Sequence, residues 1–447
     1  MSTPRIITFR GVLCCAKIFD LPLRVDVMAY WQTAAASLFV APHWPDVTAK
    51  LLWFVVAIWA AGFLVTVVAL LRQRLIAPTT DERLKRVDAP LVSVLVPARD
   101  EAGRVLRESL RSLLAQDYGN FEVCVVDDRS TDATPRILRT LAAEDARLTV
   151  VTGAETPAGW LGKPYAMQQA LERARGEWVL ATDADMIFHT AALRTAVAYA
   201  DASGCDALSF IPHFEALSFW ERLFIPVWYW SLLVIYPLDI VNHPRTPLAL
   251  GLGGFFLMRR AALEQVGGYE SVRAEVLEDV RLAETLKRAA FRTRAEYAPR
   301  LVSTRMYTNL SELWESATKN WFAGFRFSHA LTLFGLAWTF TVAVLPPLAA
   351  LACLFAVLFG SSAAQVISIF TPAAVASVLQ VASMAVVNRR CGVPVAYATA
   401  APLGFALSCA VMFDSAFRVT TGRGVLWKGR RIYEREGVRP PRARAGN

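Results

Sequence analysis

Two hydrophobic patterns take turns along this chain. Residues 51 to 71, LLWFVVAIWAAGFLVTVVALL, contain no charge and are bounded by Lys50 and by Arg72 and Arg74. About 20 such residues cross a hydrocarbon core, so a transmembrane helix is predicted over 50–72. A second apolar region, 329–417, is interrupted at Pro346-Pro347 and at Gly360-Ser361-Ser362.

Between them, 88–328 has another rhythm. The β-branched runs LVSVLVPA (91–98), FEVCVVDD (121–128), LTVVTG (148–153) and WVLA (178–181) alternate with segments of helical period, 101–116, 132–143 and 166–174. Strands alternating with helices predict an α/β, Rossmann-like domain with a mostly parallel sheet and ligands at the carboxyl ends of its strands. Two stretches in this region are apolar without reading as spans. FWERLFIPVWYWSLLVIYPLDIV (219–241) would, if it crossed, put the sites on either side of it in different compartments, so it is expected to lie in the membrane interface, as its Trp and Tyr content favours. In SELWESATKNWFAGFRFS (311–328), Leu310, Trp314, Ala317, Trp321 and Phe325 recur on one helical face.

Composition agrees with a membrane protein: 55% of residues are hydrophobic and 19% charged, more apolar side chain than a soluble surface hides. Residues 1–49 read as an N-terminal extension. From 418 to 447 there are nine Lys or Arg against two Glu, a basic tail of the kind that lies on a cytoplasmic face. No basic face with interleaved aromatics points to nucleic acid, and no protein partner is evident. Seven cysteines with no CxxC spacing suggest neither a disulfide framework nor a zinc site. Topology poses a conflict. A single crossing over 330–360 would leave the tail outside, whereas a re-entrant hairpin broken at the two prolines, followed by two spans, would return it inside, although each half is too short for a relaxed span. A cytoplasmic tail is expected and the number of crossings stays open.

Acidic residues cluster where such strands end. Asp127 and Asp128 close one strand, and one or both could cap the next helix or accept hydrogen bonds from a nucleoside. Asp183 and Asp185 follow WVLA at a spacing of two, which suits a divalent cation with oxygen ligands, Mg²⁺ or Mn²⁺. Glu278-Asp279 opens a helix after GLGGFFLMRR (251–260), where Gly253-Gly254 permits close approach of the backbone. Lys163 follows a glycine in GWLGKPYAM (159–167), where it could meet a diphosphate.

In order, VSVLVPARDE, VVDDRSTD, GWLGKPYAMQQA, ATDAD, GGFFLMRR and LED resemble a family 2 glycosyltransferase of the GT-A fold. The membrane-embedded branch related to hopanoid-associated and ceramide glucosyltransferases is the nearest in pattern, through SFWERLFIPVWYWSLLVIYP, VNHPR and VLWKGRRIY (425–433). The resemblance implies that Asp127 or Asp128 contacts uridine, with Asp100 or Glu101 near the nucleoside. Asp183 and Asp185 become the metal and diphosphate pair, and Asp279, with Glu278 beside it, the general base. Processive members carry QxxRW. Here the stretch is Ala317-Thr318-Lys319-Asn320-Trp321, which favours transfer of one sugar, with Lys319, Trp427, Lys428 and Arg430 as sources of positive charge and of a wall for diphosphate or acceptor.

The expectation is an inverting hexosyltransferase in a bacterial inner membrane, its catalytic domain cytoplasmic, moving a sugar from a nucleotide diphosphate to a lipid hydroxyl. The alternatives are a polyprenyl-phosphate glycosyltransferase, a processive polysaccharide synthase and a non-catalytic membrane protein that binds nucleotide sugars.

Overall fold

Strand β1 (Val92–Ala98) sits at the middle of the sheet because its side chains are apolar on both faces. The computed structural model describes residues 44–359, 361–434 and 438–440. Val92, Val94 and Val96 join one hydrophobic cluster and Leu95 the opposite one, as period-two alternation requires. The same division holds in β4 (Trp178–Ala181), where Trp178 and Leu180 face one way and Val179 and Ala181 the other. A sheet buried on both faces must be covered by helices on both.

The seven strands run in the order β3-β2-β1-β4-β8-β6-β9. β2 (Phe121–Asp127), β3 (Leu148–Thr152) and β4 are parallel to β1 or its neighbour, and β6 (Ala207–Ile211) is parallel to β9 (Thr293–Tyr297). β8 (Phe256–Arg259) is antiparallel to β4 and β6, so the sheet is mixed, though mostly parallel. A small sheet of β5 (Met186–Phe188), β10 (Val302–Thr304) and β7 (His213–Phe214) stands beside the end of β4. This is a GT-A fold. The helices that frame it are α1 (Trp44–Arg72) before the domain, and α2 (Leu106–Leu114), α3 (Thr134–Glu144), α4 (Gly162–Arg173), α5 (Ala192–Ser203), α6 (Phe219–Ile235), α7 (Glu278–Arg288) and α8 (Leu310–Gly324) within it.

Among the described residues four helices are long and apolar enough to cross a membrane: Asp46–Arg72 within α1, α9 (His329–Leu358), α10 (Ala363–Arg390) and Val395–Thr420, whose α-helical part is α11 (Ala401–Thr420). Helix α1 therefore starts inside the segment assigned to the extension, and the rest of that extension lies outside the described residues. A hairpin at Pro346-Pro347 does not form. The two prolines have no N–H for the carbonyls of Val342 and Ala343, four residues before each, and those carbonyls are satisfied from neighbouring helices. The Trp59 indole donates to Val342 O at 2.8 Å and the Gln380 amide to Ala343 O at 3.0 Å. A π-helical turn at Phe340–Val344 absorbs the misfit and the helix continues.

The ends of these helices can be followed by contact. Gln73, just after α1, accepts from Arg390 at the end of α10 at 2.8 Å and donates to the Tyr229 hydroxyl of α6 at 3.1 Å. Val395 comes a few residues after Arg390, and at the far end of α11 Thr420 meets His329, the first residue of α9, at 2.8 Å. Helix α11 thus begins and ends on the side of the α/β domain, whereas α1, α9 and α10 each have one end there.

Helix α6 packs along α1 and α11, with Trp230 stacked on Trp59 at 5.3 Å and against Phe405 at 5.7 Å. Helix α8 buries Leu313, Ala317 and Phe322, not the whole face expected from Leu310, Trp314, Ala317, Trp321 and Phe325. The reason is that α11 covers one side of it, where Ser415 bonds Phe322 N and Thr318 O, while Trp321 and Phe325 face a cavity.

Candidate functional site

The carboxyl ends of β1, β2 and β4 and the loop before β8 enclose a cavity of about 670 Å³. Strand β4 stops at Ala181, so Asp183 and Asp185 sit on the turn that follows it, just after the strand as their place behind WVLA suggests. The Thr182 hydroxyl donates to Gly254 O at 2.7 Å, tying this turn to the glycine loop. Both carboxylates line the cavity.

Lys163 is the hub. It lies in the first turn of α4, which begins at Gly162 where a loop was expected. Its Nζ reaches Asp183 Oδ1 at 2.8 Å and Glu278 Oε1 at 2.7 Å. Although burial alone would lower its pKa, Asp183 and Glu278 hold it well above the ordinary lysine range. Among the described residues Asp185 has Arg104, at 3.6 Å, as its paired cation. Burial, and then Asp183, push its carboxyl up to about 6.

Asp279 stands in the first turn of α7. Its Oδ2 accepts from Gly253 N at 2.6 Å and its Oδ1 from Val280 N at 2.8 Å. Burial, and then Glu278, raise its pKa to about 7, so it exchanges a proton near neutrality. A larger residue at 253 would displace Lys163. A Cβ there would lie 2.7 Å from Lys163 Nζ, 3.3 Å from Asp279 Oδ2 and 3.4 Å from Asp183 Oδ2. Gly254 is held by Met186, whose sulfur would be 2.7 Å from a Cβ, and Gly251, which the sequence did not single out, by the backbone of Asp279 at 2.5 Å.

The other end of the cavity is closed by a hairpin of β11 (Arg423–Trp427) and β12 (Arg430–Glu434). This segment was expected to be a tail against lipid headgroups. Instead Arg430 grips Asp128 with both nitrogens, at 2.7 and 3.1 Å. Lys428 pairs with Glu101 and its N–H donates to Glu315 at 2.8 Å. Lys319 stands over the Trp427 ring at 3.7 Å, its pKa brought down to about 8 by burial and then by Lys163.

Fourteen of the sixteen candidate residues line this one cavity, from Glu101 and Asp128 through Trp321 to Arg430. Asp100 and Asp127 do not. Asp127 Oδ1 accepts from Ser130 N at 3.1 Å and Asp100 Oδ1 from Thr131 N at 2.7 Å, so both shape the loop after β2. Of each alternative pair, Asp128 and Glu101 are the ones that face inward. Arg104 and Glu315 also belong to the site and carried no sequence signal, being an ordinary arginine and glutamate on helical stretches.

Residues 93–267 match the family model for Glycosyl transferase family 2. The chain is 39% identical over 98 residues to the beta-monoglucosyldiacylglycerol synthase of a Nostoc species, covering 22% of this chain and 20% of that protein. It is 30% identical over 198 residues to the synthase of the same name from a Synechocystis species, covering 42% of this chain and 40% of that one. The chain thus spans less than half the length of these curated relatives. Among solved structures, a mannosyltransferase from Pyrobaculum calidifontis in complex with GDP-Man and Mn²⁺ aligns at 21% identity and a TM-score of 0.42, over 87% of this chain and 98% of that one. Strands β1, β2 and β4, on which the cavity is built, thus lie almost wholly within the stretch 93–267 that matches the Glycosyl transferase family 2 model.

Proposed function

We propose that the chain transfers a single hexose from UDP to the hydroxyl of a membrane lipid, with inversion at the anomeric carbon. The observation that carries this reading is one cavity in which Asp279, poised to take a proton near neutral pH, lies a glycine away from the Lys163–Asp183 pair. The beta-monoglucosyldiacylglycerol synthases among the relatives support a glycolipid product.

In this reading Asp279 removes the proton of the acceptor hydroxyl as that oxygen attacks the anomeric carbon. Glu278 is held by Lys163. With Asp279 acting as base on the acceptor hydroxyl, a single displacement and hence inversion is the route this reading predicts. Asp128 and Glu101 mark the nucleoside end, and Arg430 and Lys428 of the hairpin stand beside them to cover the donor. Lys319 adds charge beside the diphosphate.

Asp183 and Asp185 fit a hard divalent cation. They offer only oxygen, and the paired cation of Asp185, Arg104, stands at 3.6 Å. Among the described residues no three His, Cys, Asp or Glu gather to hold a metal unaided, as expected where water and substrate phosphates complete the shell. Mg²⁺ or Mn²⁺ bound there would neutralise charge on the departing diphosphate.

The helix ends support three crossings, by α1, α9 and α10, with α11 lying along the interface. The catalytic domain and hairpin then share the cytoplasmic side of a bacterial inner membrane, with Arg72, Arg74, Arg389 and Arg390 at that face as the positive-inside rule asks. In intact cells, a cysteine at Ser361 should react with an impermeant maleimide and one at Thr421 should not. Labelling of both would mean that α11 crosses.

The activity is tested with membranes carrying the chain, radiolabelled UDP-glucose and Mn²⁺. Label in the organic extract, as a lipid bearing one hexose, is the expected result. Label retained in polymer would replace this reading with processive synthesis.

A further inference from the structure

We propose that Tyr433, in the C-terminal hairpin, is a positioning residue for the base: its hydroxyl fixes the segment 273–277 that delivers Asp279. The inference rests on the reading of Asp279 given above and adds what holds that residue in place.

Tyr433 is 2% exposed and has a φ of +59°, a backbone region that bulky side chains seldom occupy. Between the pairs Arg423–Glu434 and Val425–Ile432 the hairpin ladder skips Tyr433 and Gly424, whose φ is also positive at +67°. The hairpin is thus kinked at this point. Strain of this kind persists where the surroundings enforce it, and it marks functional segments more often than others.

The enforcing contacts go to the two segments that carry the reacting groups. The Tyr433 hydroxyl donates to Ala274 O at 2.8 Å. Its ring clusters with Leu161 and Val425, with Val276 packed against them, and meets the Phe327 ring edge-on at 5.1 Å. Leu161 N donates in turn to Arg273 O at 2.8 Å. Leu161 stands two residues before Lys163, and Val276 three before Asp279. Burial, and then Glu275, push the hydroxyl well above the ordinary tyrosine range, so it remains a donor near neutral pH.

The same two segments meet again at the Lys163–Glu278 pair, 2.7 Å apart. Tyr433 therefore closes one end of a frame whose other end is that pair, with Asp279 next to it. Tyr433 itself stands behind the cavity wall, which Val276 and Ile432 line, so it acts through the segment it holds. Arg430, three residues earlier on β12, grips Asp128. One short strand thus ties the nucleoside end of the cavity to the base. Without the hydroxyl, Ala274 O loses its donor and the approach to α7 gains freedom. A small displacement of a reacting group costs rate while donor contacts elsewhere are kept.

The test is Tyr433→Phe in the full chain, in membranes supplied with radiolabelled UDP-glucose and Mn²⁺. The ring and its packing stay, and one hydrogen bond goes. The kcat should fall about tenfold or more, while KM for UDP-glucose and Kd for UDP stay within about twofold, a change of well under 1 kcal/mol. An unchanged kcat, whatever happens to the melting temperature, would overturn the proposal. So would a loss of donor affinity as large as the loss of kcat, because Tyr433 would then support the fold and not the base. A second measurement needs no variant. In hydrogen exchange on the parent chain, peptides covering 273–279 and 430–434 should open together, and independent opening would overturn the proposal equally. Asp279→Asn separates this inference from the reading beneath it. Full turnover in that enzyme sinks Asp279 as the base. Lost turnover there, with Tyr433→Phe at the parent rate, removes the positioning alone.

Discussion

An Asp279→Asn enzyme should bind UDP as the parent does and lose about 10²- to 10⁴-fold in transfer rate, the usual contribution of a positioned general base. Asparagine keeps the shape, but its single carbonyl oxygen can accept from Gly253 N or from Val280 N and not from both, so one backbone hydrogen bond is lost together with proton uptake. The pH profile carries the same signature. Because burial and Glu278 raise the Asp279 pKa from 3.8 to about 7, its basic form accumulates only as pH rises through 7, and activity should climb through that point and level off above it. Stability should run the other way. Between about pH 4 and 7 the folded chain keeps a proton that the unfolded chain has released, so this residue's contribution to stability is full below the lower value and is lost as pH rises to the upper one. Asp279→Asn should flatten both slopes and raise the melting temperature at pH 8 relative to the parent. Transfer that is undiminished, or an unchanged acid limb, would remove Asp279 as the base.

Glu221→Ala should be the most destabilising change outside the cavity. Glu221 is fully buried and takes two hydrogen bonds from Arg305, at 2.9 and 3.0 Å. It also completes the capping box with Ser218 at the start of α6. Burial opposes its charge, but Arg305 and the Ser218 contacts outweigh this and bring its pKa down to about 2. Its stabilising effect is thus present above the ordinary glutamate range and lost only as pH falls toward 2. Alanine leaves Arg305 without its partner. Breaking a buried pair costs about 3–5 kcal/mol, and the lower figure applies here because 32% of the Arg305 side chain is exposed. Chemical denaturation in detergent is the measurement. Glu221→Gln, which keeps the size and some hydrogen bonds, should lose less, and equal losses would show that the charge contributes nothing.

The legible parts of this molecule are those in which a local pattern and its burial agree. Strands β1 to β4 read as apolar, β-branched runs, carboxylates stand at or just after the ends of β1, β2 and β4, and Asp128, Lys163, Asp183 and Asp279 fall where strand ends and helix starts put them. Strands β5, β7 and β10 are two or three residues long, too short for alternation to register. The choice between Asp127 and Asp128 turns on which of two adjacent side chains faces inward, and that is settled by Ser130 N across the loop. Helix α9 defeats the usual reading of a proline pair because its replacement donors, Trp59 and Gln380, come from distant sequence. The basic tail misled for a related reason: RGVLW and RRIYE alternate well enough for a hairpin, but the partners that neutralise Arg430 and Lys428 lie some 300 residues earlier.

That hairpin has a consequence for biosynthesis. Residues 423–434 leave the ribosome after every apolar helix has done so, and they reach the cavity only once α9, α10 and α11 have come to rest against α6 and α8. In the proposed reading the donor end of the site is therefore completed last, so a chain stalled or mis-inserted at any of these helices leaves Asp128 and Glu101 without Arg430 and Lys428. Competence to hold donor becomes a report on correct membrane assembly.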